Sequence, residues 1–175
     1  KLFVASNAPG VIVDVRGNLG GDDQLAATLC GYFHRTRVFY ERQTWYNTLD
    51  GTFTELTFDS LNGWAPLDYM AIEPQSVYYG GPVAVLVSLG TVSSGEGVAM
   101  GIGALPNARV IGFHGTHGAF GMAGGIINLP GGYTIGYPYG QSLDEHGVIQ
   151  LDSQNGVSGV APEIRIPMNA SNVLA

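Results

Sequence analysis

The apolar run Pro82-Val-Ala-Val-Leu-Val-Ser88 leads straight into Gly90-Thr-Val-Ser-Ser-Gly-Glu-Gly97, and a helical pattern, Val98–Leu105, follows. A short β-branched run reads as a buried strand. The glycines after it allow only a tight turn before the helix starts. A second unit of the same kind comes earlier: the strand Gly10–Arg16, the turn Gly17-Asn-Leu-Gly-Gly21, and a helix over 22–33 with acids in its first turn, where the helix dipole favours negative charge. Two strand–turn–helix units followed by further strands predict an α/β fold with a central, partly parallel sheet. Loops at the carboxyl ends of such strands build sites, so Gly17–Gly21 and Thr91–Gly95 are expected to face each other.

The rest of the chain reads as strands and turns. Residues 38–59 alternate around Leu-Asp-Gly51 and predict a hairpin, and 60–79 are irregular and aromatic. Arg109–Gly112 is a short strand, 114–125 a glycine-rich loop, and 125–129 with 133–137 a second hairpin around Pro-Gly-Gly. Val148–Leu151 and Glu163–Pro167 complete the strands. The 175 residues suit one domain, 1–175, with a full core.

Charged residues make up only 12% of the chain, which contains 27 glycines and carries a net charge of −7. The acidic balance argues against nucleic acid as a partner. No apolar run reaches the roughly 18 residues of a membrane span. The one cysteine, Cys30, excludes an internal disulfide and sits in a helical pattern as a small buried residue. The composition leans toward a secreted or periplasmic setting.

A serine at the start of a helix has two readings. Unpaired backbone N–H groups and the dipole there hold a tetrahedral oxyanion, which suits a nucleophile. Ser93 and Glu96 also have the spacing of a capping box, a purely structural device. On the residues alone both readings stand. Gly20-Gly21 likewise reads as an amide cradle or as a helix-entry turn. His114 and His117 are three apart, but weak as a metal site without a nearby acid. No metal and no cofactor is expected. His34 ends a helix, where a cation complements the dipole. Asp14 is expected to pair with Arg16 or with backbone donors. The aromatics Trp45, Tyr46, Trp64, Tyr69, Tyr78 and Tyr79 either line an apolar substrate pocket or pack the 38–79 excursion.

Taken in order, five segments resemble the catalytic core of the C-terminal-processing (tail-specific) serine peptidase family, with its tricorn-like and retinoid-binding-protein-like branches. Val11–Gly21 resembles its strand plus Asp-Leu-Arg-x-Asn-x-Gly-Gly, and Pro82–Ser88 its strand before the elbow. Ser93-Ser-Gly-Glu96 resembles the Ser-Ala-x-Glu elbow, Pro106–Gly112 the strand after the elbow helix, and Gly159–Ile166 the closing Gly-Val-x-Pro-Asp-Ile-x-Val. The resemblance implies a Clp protease/crotonase-like core with flanking helices and added β-hairpins, acting on extended or unfolded polypeptide. It implies Ser93 as nucleophile, with an oxyanion hole from the amides of Gly20 or Gly21 and of Ser94. Such donors are worth about 3 kcal/mol each in general.

The pattern breaks at the base. Many members use a Ser-Lys dyad, and the lysine's place falls on Ala119; the chain's only lysine is Lys1. Three sources of proton transfer stay open. A histidine of the same loop, His117 before His114, is a suitable base because imidazole titrates near neutrality. The tricorn-like branch takes its histidine from a segment before the core, which would make this chain a fragment. The third option is a catalytically impaired module that binds peptide or an apolar ligand. The acid of the tricorn-like branch falls on Gly156, with Asp152 a nearby stand-in. A crotonase-like acyl-thioester enzyme is the weaker alternative, with no nucleotide-pocket signature to support it.

Overall fold

The computed structural model describes residues 8–56, 69–121, 124–151 and 159–173. Its elements run β1 (Val11–Asp14), α1 (Asp23–Cys30), β2 (Val38–Asn47), β3 (Thr52–Glu55), β4 (Met70–Ile72), β5 (Val83–Leu86), α2 (Ser94–Gly103), β6 (Ala108–Gly112), β7 (Gly125–Asn128), β8 (Thr134–Tyr137), β9 (Gly140–Leu143), β10 (Ile164–Arg165) and α3 (Ala170–Val173). The central sheet has the order β1-β5-β6-β10, all parallel. Its strands are short and β-branched, as buried parallel strands are. The predicted α/β class with a partly parallel sheet is what the chain forms.

Val83, Val85 and Val87 project from the β5 segment into a core shared with Val110, Ala26, Ala27, Cys30, Val98, Ala99 and Ile102. Helices α1 and α2 pack on each other, and α2 lies against β5 and β6. Gly97 makes the approach to β2 possible, because a Cβ there would stand 1.8 Å from the Tyr40 hydroxyl oxygen. Cys30 is fully buried, as expected, and burial pushes its thiol up to about 12.

A second, antiparallel layer is built on the long strand β2. It pairs with β3 on one edge, and with β4 and then β9 on the other. Both predicted hairpins form: β2–β3 in register Asn47↔Thr52, and β7–β8 in register Asn128↔Thr134. The first helix is shorter than predicted. It ends at Cys30, with Asp22 as its N-cap accepting from the Leu25 N–H at 3.0 Å. At Gly31 the chain presses on the Glu73 carbonyl so closely that a Cβ would sit 2.1 Å from it.

Three expectations differ from the structure. Val148–Leu151 is not a strand; only the single bridge Leu143↔Ile149 forms there. The strand is instead Gly140-Gln-Ser-Leu143, whose ladder is set by pairing with Arg42–Trp45 and not by its own propensity. The irregular 60–79 stretch contains β4, a three-residue strand buried throughout. His34 complements no dipole of its own helix, since its Nε2 meets the Gly101 carbonyl of α2 at 2.8 Å. Asp14 does pair with Arg16, at 2.7 Å, and the guanidinium holds its carboxyl below the usual range.

Candidate active site

The turn after β5 is anchored from below. The fully buried Thr91 donates its hydroxyl to the Val15 carbonyl at 2.8 Å and accepts from the Ser88 N–H at 3.1 Å. Val92 N–H then donates to the Asn18 carbonyl at 2.9 Å, which stitches the elbow to the loop after β1. The next residue, Ser93, has φ 55° and ψ −128°. For a residue with a side chain this is a strained conformation, costing on the order of 1–3 kcal/mol. A strained serine on a strand-to-helix turn is the geometry of a nucleophile elbow.

Glu96 holds the strain in place. Its carboxylate is fully buried and accepts four hydrogen bonds: Ser93 N–H at 3.0 Å, the Thr116 hydroxyl at 2.6 Å, Gly118 N–H at 2.6 Å and Ala119 N–H at 2.8 Å. The Glu96 half of the predicted capping box is therefore formed. The same side chain also fixes the 116–119 loop against the elbow. His117 N–H adds a bond to the Thr91 carbonyl at 2.9 Å.

Opposite Ser93 runs the glycine turn. Gly20 has φ +96°, and a Cβ on it would stand 2.5 Å from Ser93 Cβ and 3.0 Å from its Oγ. Only glycine lets this backbone come so near. The Gly20 N–H is taken by Asn18 Oδ1 at 2.8 Å. The two loops expected to face each other therefore do.

Between them lies a cleft of about 370 Å³ lined by Gly21, Asp23, Gln43, Ser93, Ala119, Gly121, Gly124 and Pro138. A larger groove of about 760 Å³ shares Ala119, Gly121 and Pro138 with it. Trp45, Tyr46, Phe53, Tyr137, Tyr139 and Leu151 give that groove an aromatic, apolar wall. Of the aromatics singled out from the sequence, Trp45 and Tyr46 stand there. Tyr69 stacks on Phe39, Tyr78 carries the Arg35 guanidinium over its ring, and Tyr79 is in the core. Trp64 lies outside the described residues, as do Asp152 and Gly156.

Gly20, Gly21, Ser93 and Ala119 thus meet in one place, and Ser94 follows as the first residue of α2. His117 is exposed; its Nδ1 stands 3.3 Å from the Leu89 carbonyl, and its side chain does not line the cleft. His114 packs its ring edge-on against Phe113. Among the described residues no group of three His, Cys, Asp or Glu side chains is placed to hold a metal.

Two acids outside the sequence motifs stand at and behind the cleft. Asp23, read only as a helix first-turn charge, lines it beside Ser93. Behind it, the fully buried Glu41 accepts from Gln43 Nε2 at 2.7 Å and from the Ser142 hydroxyl at 2.7 Å. The same Gln43 nitrogen reaches Asp23 Oδ2 at 3.4 Å. Burial raises both carboxyls, Glu41 to about 8 with the Asp23 charge adding to the effect. The signal available was the two-residue spacing of Glu41 and Gln43 on a strand, which puts both on one face.

The strained serine, the glycine turn and the cleft sit together on an α/β core at the carboxyl ends of β1 and β5. The chain belongs to peptidase family S41, whose model matches residues 1–166. Its fold is similar to that of mature CPAF complexed with lactacystin (TM-score 0.71, 19% identity, 98% of this chain and 42% of that one). It is similar also to the photosystem II D1 C-terminal processing protease (TM-score 0.61, 18% identity, 98% and 39%) and to a lipoprotein from Streptococcus agalactiae (TM-score 0.53, 17% identity, 95% and 53%). The chain spans about two fifths to one half the length of these relatives. Among curated proteins none matches it. No helix of the described residues is long and apolar enough to cross a membrane.

Proposed function

We propose that the chain is the catalytic core of a serine peptidase that cuts extended or unfolded polypeptide. One observation carries the reading: Ser93 is held at φ 55° with the Gly20 backbone packed against its side chain. In this reading Ser93 Oγ attacks the scissile carbonyl. The Oγ–C bond forms as the hydroxyl proton passes to His117, and the amides of Gly21 and Ser94 hold the oxyanion. Gly20 is the less suited donor, its N–H being engaged by Asn18. The imidazolium then gives its proton to the departing amine as the C–N bond breaks, and water hydrolyses the acyl-enzyme. For this His117 must leave the Leu89 carbonyl; its loop, clamped by Glu96, already stands at the cleft wall two residues before Ala119. The aromatic groove suits the side chains of an extended peptide. A secreted or periplasmic setting accords with the acidic, lysine-poor composition.

The position of the His117 ring favours a second reading, a module that binds peptide without turning it over. The test is hydrolysis of an unfolded reporter polypeptide by the protein and by Ser93→Ala. The peptidase reading expects activity that falls by more than about 10³-fold in the variant, with unchanged circular dichroism. Full activity in Ser93→Ala refutes the nucleophile. Binding of the reporter with no turnover in either protein selects the module.

A further inference from the structure

We propose that Asp23 makes the Ser93 cleft selective for polypeptides that carry a cationic side chain, lysine or arginine, beside the bond at Ser93. The inference rests on the peptidase reading for the identity of that bond and adds the substrate class.

Asp23 reaches the cleft from the first turn of α1 and is underpaired there. Its Oδ1 is buried and completes no hydrogen bond. The Ser94 hydroxyl, on a residue only 5% exposed, is aimed at the same carboxyl and partly offsets its burial, without closing a full hydrogen bond. Oδ2 receives the long bond from Gln43 Nε2, whose short bond goes to Glu41. Two carboxyls therefore draw on one amide nitrogen. The ion pairs of the described residues, Arg16–Asp14, Arg37–Glu73, Arg109–Glu163 and His146–Glu145, all lie elsewhere.

A charge taken partly out of water needs a partner. A lysine or arginine side chain entering the cleft supplies one by a charge-assisted hydrogen bond. A neutral side chain leaves the carboxylate unpaired, and an acidic one meets like charge. The other groups around Asp23 do not remove this demand. Asp22 on its own helix adds negative charge. From β2, Glu41 and Tyr40 face it, both raised by burial and so kept neutral over a wide range. The acid of α2 is Glu96, already engaged by four donors, and β4 has no titratable residue.

The test uses the Ser93→Ala protein, so that binding is read without turnover. A fluorescent peptide of neutral residues receives one lysine, walked along its length, and each version is compared with norleucine at the same place. Lysine at one position is expected to tighten binding at least about ten-fold over norleucine. Adding Asp23→Asn should bring that ratio to about one. A measurement with Asp23 intact guards against misfolding of the variant. Lowering the pH from about 6 to about 4, where Glu41 stays protonated, favours the neutral Asp23 carboxyl, so the lysine advantage should fade. No lysine advantage at any position, or one that survives Asp23→Asn, overturns the proposal. Failure of the peptidase reading would show separately, as absence of hydrolysis by the protein with Ser93 intact.

Discussion

Ser93 cannot hold its conformation alone, and two neighbours determine whether it does. Gly20 leaves room for it; Gly20→Ala places a methyl group 2.5 Å from Ser93 Cβ at a φ of +96°. That variant should lose more than about 1 kcal/mol in denaturant unfolding and lose Ser93 reactivity as well. Glu96 collects four donors on two oxygens, so Glu96→Gln turns one oxygen into a donor facing donors. The cost should be about 2–4 kcal/mol by denaturant unfolding, with slower acylation of Ser93 even where the fold survives. Unchanged stability in Glu96→Gln would mean that the carboxylate is not the clamp. The elbow serine, the glycine turn and Glu96 were all visible as sequence motifs, because each is a local device a few residues long. Glu96 was read only as the partner of Ser93; its bonds to Thr116, Gly118 and Ala119 cross 20 to 23 residues, beyond any local pattern.

Strand β2 is the element on which the site and the second layer meet. Its Glu41 and Gln43 face inward toward α1 and β9, while Trp45 and Tyr46 reach the aromatic groove. Burying Glu41 has a consequence for stability. Its carboxyl is raised in the folded protein from 4.5 to about 8, so the folded state holds a proton that the unfolded chain gives up. That contribution is complete below the unfolded value and lost as pH rises through about 8. The melting temperature should therefore fall between about pH 5 and about pH 9, and Glu41→Gln should flatten the decline. A melting temperature that rises over this range would contradict the buried, raised carboxyl. Strand β9 escaped sequence reading for a related reason. Gly-Gln-Ser-Leu has little β propensity, and its polar Ser142 is buried because Glu41 needs a donor. The apolar Val148–Leu151 looked more like a strand but lacks a ladder partner beyond one bridge.

At the scale of the molecule, a parallel sheet and an antiparallel layer enclose two helices, and the cleft opens where loops from both layers meet. The parallel order of β1, β5 and β6 brings the turns after β1 and β5 side by side, as the two strand–turn–helix units implied. What the chain order did not convey was the return of residues 118–121 and 138–142 to the cleft and its adjoining groove, since the first stretch is held by Glu96 and the second by long-range pairing of β9 with β2. The cleft thus combines a strained hydroxyl, a glycine-built backbone wall and an acid.

The most direct measurement is reaction with a fluorophosphonate probe, mapped by mass spectrometry. The account predicts one label per chain, on Ser93, abolished by Ser93→Ala. A label on another residue, or no label on protein that still binds peptide, would contradict it.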